Sequence, residues 1–305
     1  MLFTGITIPD MTRIAEEHGL VCVPVDLDPD TMQPSLDQIK AATSERTVTM
    51  IFAYLHGVTY DPAPYAEFLK SRNIDIIEDC AQSFKSVDTF RGSPLATMTM
   101  FSFGMIKQNT AFYGAVTIIR EDNSLASMPQ AAGLYRQMAG IQEAYGMYTA
   151  KEYKKRVLTA LAAWTLVTKE AVFGAALRYC KARGKDLQDV IISKLRGFSA
   201  DADYLAKFRV KPCAALVAMI YHRTANFTAA DFRARIVNYH KMTKALTDKG
   251  YFVPGWAHGD DRSFWLYPFP VANSLQFNDF CNANGVFCAY KSSQIDQVPA
   301  PEFVK

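Results

Sequence analysis

Long apolar runs, closely spaced cysteines and an excess of either charge are all missing from this 305-residue sequence. Each absence removes a class of function. No stretch reaches the roughly 18 uninterrupted apolar residues of a membrane span. The longest candidate, Val157 to Cys180, is broken by Lys169 and Glu170, so no membrane partner is expected. Six cysteines (Cys22, Cys80, Cys180, Cys213, Cys281, Cys288) stand at unrelated spacings without a C-x-x-C pair. That pattern offers neither a disulfide framework nor a zinc site, and it fits a reducing, cytoplasmic compartment. Lys+Arg at 33 against Asp+Glu at 30 leaves only +3, too small a bias for a nucleic-acid footprint or an acidic tail. The segment Met1 to Asp10 lacks a basic flank and a long apolar core and does not read as a secretory signal. Internal repeats and low-complexity tracts are absent as well. What is present is 50% hydrophobic content, ample for the core of one large or two medium domains.

The first third alternates short apolar runs with helical patterns, the signature of βα units and a mostly parallel sheet. Pro9 opens a helix with apolar positions at Met11, Ile14 and Ala15, and Gly19 closes it. Val21 to Val25 reads as a strand, placed at an edge because Pro24 cannot donate to a ladder. Ser35 to Ala42 reads as a short helix. Val48 to Tyr54 is a near-continuous apolar strand of the kind buried on both faces, ending in Leu55-His56-Gly57. A helix over Pro62 to Ser71 leads to a strand at Ile74 to Ile77, and another run follows at Met98 to Phe103. Gly114 to Arg120 comes too soon after Lys107 for a helical crossover, so it is expected to be antiparallel to its predecessor. From about Gly133 the pattern turns to long helical stretches with basic faces. Helices are then expected over Pro212 to Thr224, Ala229 to Lys249 and Gln276 to Asn284, with a strand at Ser263 to Phe269. The expected organisation is a large α/β domain over residues 1–130, a helical connector over 131–205 and a smaller α+β domain over 206–305.

Three of these strands end in polar groups: His56, then Asp79 with Gln82, then Ser102 through Lys107. Ligands of open α/β sheets sit beyond the carboxyl ends of strands. Taken singly, Asp79 reads first as a helix cap or turn former and Lys107 as a solvated surface group, and His56 reads equally as a strand cap bonding a backbone carbonyl. A Mg²⁺ site at Glu78-Asp79 would want further carboxylates and gives Lys107 no role, so no metal is expected. Together the residues match the needs of pyridoxal phosphate: a lysine amine, an acid for the pyridine nitrogen, a partner for the ring hydroxyl and a donor for the phosphate. Arg209, Arg223, Arg233 and Arg235 are candidates for a carboxylate or diphosphate, and the sequence does not choose among them.

The motifs Asp26-Leu27-Asp28-Pro29-Asp30-Thr31, His56-Gly57, Glu78-Asp79-Cys80-Ala81-Gln82 and Phe101-Ser102-Phe103-Gly104-Met105-Ile106-Lys107 resemble those of the DegT/DnrJ/EryC1/StrS sugar aminotransferases, which are fold type I pyridoxal phosphate enzymes. The resemblance implies that Lys107 carries the cofactor covalently, that Asp79 pairs with the pyridinium nitrogen, that Gln82 bonds the ring hydroxyl, and that Ser102 touches the phosphate, with His56 nearby. It further implies transfer of an amino group from a donor such as glutamate to a keto acceptor, commonly a nucleotide-linked keto sugar, by a homodimer. Against the family pattern the chain is expected to be N-terminally incomplete, since no Gly-Thr dipeptide for the phosphate-binding helix start occurs in it. Phe112-Tyr113-Gly114-Ala115 stands where the family usually has adjacent glycines. The competing expectation is a non-catalytic homologue that acts by binding or subunit association.

Overall fold

A computed structural model describes residues 1–120, 133–185, 204–228, 230–255, 259, 262–268, 270–284, 286, 288 and 295–302. The N-terminal part is built on a six-stranded sheet of β1 (Leu2–Thr4), β3 (Val23–Val25), β4 (Thr49–Ala53), β5 (Asp75–Asp79), β6 (Met98–Ser102) and β7 (Ala115–Ile119), in the order β3-β1-β4-β5-β6-β7. Neighbouring pairs from β3 to β6 are parallel, and β7 runs antiparallel to β6 with Ser102 opposite Ala115. This agrees with the short β6–β7 connection, which leaves no room for a crossover. β3 lies at the edge, where Pro24 forfeits no central hydrogen bond.

Three helices serve the parallel half: α1 (Pro9–Glu17), α2 (Leu36–Ala42) and α3 (Ala63–Ser71). Ser35 caps α2 by accepting from the Asp37 N–H, satisfying one of the donors a helix start leaves open. α3 turns Tyr65, Ala66 and Leu69 inward, and the Tyr65 ring stacks on Phe52 of β4 at 5.4 Å between centroids. All five residues of β4 are buried, as befits a central strand covered on both faces.

The apolar stretch from Val157 to Cys180 forms two helices, α5 (Ala150–Val167) and α6 (Glu170–Ala182), that follow α4 (Leu134–Glu143). They meet at Lys169 and turn by 97°. Among the described residues no single helix is long and apolar enough to cross a membrane. After α7 (Tyr204–Phe208) come α8 (Ala214–Asn226), α9 (Ala230–Thr247) and α10 (Ser274–Ala283). Leu216 and Ile220 of α8 reach the backbone at Gly114, and Phe227 and Phe232 continue a ring cluster that begins at Phe84 beneath the β5 loop. These contacts seat the C-terminal helices against the strand ends. Short pairings add β2 (Ile6–Thr7) to β10 (Asp296–Gln297), and β8 (Gly146–Met147) to β9 (Val210–Lys211).

Besides the two-residue strands β2, β8, β9 and β10, none of them expected, two elements differ from the sequence reading. β1 was not expected, yet it lies between β3 and β4 inside the sheet; at three residues it is too short to show a period. The strand expected over Ser263 to Phe269 is not formed over its described residues, 263–268. Phe264 has φ 46°, a left-handed conformation costly for a bulky aromatic, and it breaks the pleat. The segment instead runs as a strap between α9 and the strand ends, with the Phe264 ring 4.1 Å from that of Tyr239 and the Tyr267 hydroxyl 3.1 Å from that of Thr243.

Candidate active site

The carboxyl ends of β4, β5 and β6 point the same way because the three strands are parallel, and the sequence-nominated residues gather there. Asp79 ends β5 and is 8% exposed. Its Oδ1 accepts the Ala81 N–H at 3.0 Å, closing the turn that brings Gln82 back over the strand end. Burial raises its carboxyl above the ordinary range, opposed by the Ala81 N–H and by the charge of Lys107. Lys107 shows the mirror effect: burial lowers its ammonium pKa, and the Asp79 carboxylate pulls it back up. A buried lysine with a depressed pKa is a larger reservoir of neutral, nucleophilic amine than a surface lysine. Its Nζ lies 4.6 Å from the centroid of the Trp265 ring, within cation–π range.

Glu78, one residue before Asp79, projects to the other face of β5, as alternation requires. There it accepts from the Tyr54 hydroxyl at 2.7 Å, the Thr99 hydroxyl at 2.6 Å and the Ser93 N–H. The two adjacent acids therefore serve different faces. Glu78 braces the sheet, and Asp79 belongs to the site.

Gln82 Oε1 accepts the His56 N–H at 2.9 Å. With the carbonyl end committed, the amide Nε2 is the end that can donate to a ligand oxygen. Ser102 ends β6, and its Oγ accepts the Gly104 N–H at 3.4 Å, so its own hydrogen can be donated outward. Gln82, Ser102 and Lys107 line one narrow cleft, partly open to solvent, together with Ala81, Phe84, Gln108, Asn109 and Trp265. Asp79 and His56 are not among the lining residues. Asp79 acts on the cleft through its charge on Lys107, and His56 through its backbone.

His56 holds φ 58° and Gly57 φ 93°. This tight left-handed pair receives the strap: Ser263 N–H donates to Gly57 O and Trp265 N–H to His56 O, each at 3.2 Å. Further ties run from Ser263 Oγ to Gln82 O (3.4 Å), from Gln108 Nε2 to Ser263 O (2.9 Å) and from Trp265 Nε1 to Ile106 O (3.3 Å). Loops after β4, β5 and β6 are thereby stitched to one C-terminal segment. Gln108, Asn109 and Trp265 were missed by the sequence reading. The first two directly follow Lys107, which was the available signal. Trp265 lay inside an apolar run that reads as a strand.

Burial lowers the His56 pKa from 6.5 to about 4. Between those values the unfolded chain binds a proton that the folded protein refuses, so stability falls as pH drops from 6.5 towards 4 and levels off below. The interval corresponds to about 3 kcal/mol. His56→Asn, which tolerates the left-handed backbone, is expected to remove this component from urea-unfolding free energies measured at pH 7 and pH 4.5. An unchanged pH difference in the variant would contradict the assignment.

Beyond Lys107, Phe112 has φ 66°, so an aromatic residue adopts the left-handed backbone that glycine takes without steric cost. Its carbonyl accepts from Arg156 Nε at 3.0 Å, and the same guanidinium sits 4.6 Å from the Tyr113 ring centroid. The aromatic pair is thus braced by α5.

A family model described as the DegT/DnrJ/EryC1/StrS aminotransferase family matches residues 4–163, just over half the chain, including every residue of the cleft except Trp265. The chain belongs to this family. It is 28% identical over 144 residues to GDP-perosamine synthase of Escherichia coli O157:H7, covering 43% of this chain and 39% of that protein. It is also 28% identical over 124 residues to L-glutamine:2-deoxy-scyllo-inosose aminotransferase of Streptomyces fradiae, covering 38% and 29%. The matched part thus spans about two-fifths or less of these relatives. Among solved structures, the sugar aminotransferase CalS13 of Micromonospora echinospora superposes with a TM-score of 0.53 at 18% identity, over 94% of this chain and 65% of that one. The fold is the α/β fold of the type I pyridoxal phosphate aminotransferases.

Proposed function

We propose that this family member binds pyridoxal 5′-phosphate and transfers an amino group from an amino acid such as glutamate to a keto acceptor, a nucleotide-linked keto sugar being the class favoured by the relatives. The observation that carries this reading is the electrostatic pairing of buried Asp79 with half-buried Lys107, whose Nζ opens on a cleft shared with Gln82 and Ser102. The residues fit the cofactor. Buried amide atoms of Gln108 and Asn109 in that cleft wall have no internal partner, as expected where a polar ligand completes the hydrogen bonding.

When bound, the cofactor supplies the electron sink that allows a substrate Cα–H to leave as a proton. Asp79, set behind the cleft wall, would favour the protonated pyridine nitrogen through its negative charge. Gln82 Nε2 would donate to the ring hydroxyl oxygen, and Ser102 Oγ to the phosphate. Lys107 would anchor the cofactor until a substrate amine displaces it, after which its amine takes the proton at the substrate Cα and returns it. The Trp265 indole would keep water from that amine, preserving the low pKa that proton abstraction requires. Assembly as a homodimer in a reducing compartment belongs to the same proposal.

The test uses the purified protein with added pyridoxal phosphate. The expected results are the visible absorption band of lysine-bound cofactor and release of 2-oxoglutarate from glutamate in the presence of a keto acceptor. Folded protein that develops no band would favour the non-catalytic reading.

A further inference from the structure

We infer that Asn109 is a ligand-contact residue of the cleft, an amide that receives an oxyanion of the bound small molecule. The inference rests on the proposed function for the identity of that molecule, but its geometric basis is independent. Asn109 is 2% exposed, and neither Nδ2 nor Oδ1 has a hydrogen-bond partner. Leaving a buried donor or acceptor unmade is destabilising, and a leucine of similar size would avoid that cost at this site. The amide is not buried in an apolar layer: it shares the cleft wall with Lys107 and Ser102.

The chemistry of that wall selects the ligand group. Ser102 Oγ, already accepting from Gly104 N–H, can offer its hydrogen. Asn109 Nδ2 offers two more, and Lys107 adds N–H donors carrying positive charge. Three neighbouring donors and one cation suit an oxyanion, which accepts at every oxygen. Two sources present one here: the phosphate ester of the cofactor and the carboxylate of the amino-acid donor. Both would quench the orphaned amide only on binding, so the position trades stability of the ligand-free protein for affinity.

The experiment compares wild type with Asn109→Leu, and with Asn109→Ala should the leucine variant fold poorly. Four probes are titrated: pyridoxal phosphate, pyridoxal, inorganic phosphate and glutamate. The ligand-free Asn109→Leu protein is expected to unfold at a higher temperature than wild type. Its Kd for one oxyanion-bearing probe should rise about tenfold or more, with pyridoxal unchanged. Weakening of pyridoxal phosphate and inorganic phosphate assigns the amide to the phosphate, and weakening of glutamate alone assigns it to the carboxylate. Equal affinities of variant and wild type for all four probes would overturn the inference while leaving the proposed function intact. Asn109-dependent binding of inorganic phosphate without binding of pyridoxal phosphate would do the reverse. Failure of wild type to bind any probe would overturn both.

Discussion

Lys107→Ala is expected to eliminate the visible absorption that pyridoxal phosphate gives with the wild-type protein and to lower turnover at least about a thousandfold, because one amine is assigned both the covalent attachment and the proton transfer. Removing the lysine also removes the cation that holds the Asp79 carboxyl down against burial, so the alanine variant alone would mix two effects. Lys107→Arg separates them. It keeps a positive charge beside Asp79 and a planar cation for the Trp265 ring, yet it cannot form the covalent link. The expected result is an arginine variant that folds like wild type, shows no band and does not turn over. Borohydride reduction of the loaded wild-type protein followed by peptide mass analysis should place the added mass on Lys107. A label on another lysine would remove the assignment, whatever the activity of the variants.

The second large effect concerns a residue with no side chain. A Cβ at Gly57 would lie 2.6 Å from Phe264 N, 2.7 Å from Ser263 Oγ and 3.0 Å from Trp265 N, and the backbone there is left-handed. Gly57→Ala should therefore combine a backbone cost of about 1–2 kcal/mol with loss of the two strap hydrogen bonds at about 0.5–1.5 kcal/mol each, for a total of roughly 2–5 kcal/mol. Gly19→Ala is the control, since Gly19 is also left-handed, at φ 74°, but has nothing within 4 Å of the added carbon. The difference between the two variants in urea unfolding measures the docking of the strap. Amide exchange at Ser263 and Trp265 should accelerate in Gly57→Ala and stay slow in Gly19→Ala. Equal stability losses and unchanged exchange would show that the strap does not depend on Gly57.

β4 was legible because a strand covered on both faces requires an uninterrupted apolar run, and Met50, Ile51 and Phe52 supply it. The antiparallel turn of β7 followed from chain length alone. The gathering of Asp79, Gln82, Ser102 and Lys107 at one end of the sheet was legible for a related reason: polar residues that end buried strands have few places to go except the mouth of the sheet. Asn109 and Trp265 were not, since what makes them notable is an unmet amide and a ring over an ammonium, and neither is a property of spacing. His56 illustrates the limit from the other side. Its position at a strand end was read correctly, but its imidazole does not line the cleft, and its backbone N–H and C=O link Gln82 to Trp265. A backbone role of that kind leaves no mark on residue type beyond the glycine that follows.

The strap carries a consequence for how the molecule is made. Its ties to Gln108 and Ile106 join residues 155 and 159 positions apart in the chain, so the cleft cannot close before synthesis has reached Trp265. Contacts of such high sequence separation are slow to form, whereas the strand ends beneath them need only the first 120 or so residues. During translation there is accordingly an interval in which Lys107 is mounted on an assembled sheet without its aromatic cover. The ring comes to lie over its amine only once Trp265 has been synthesised.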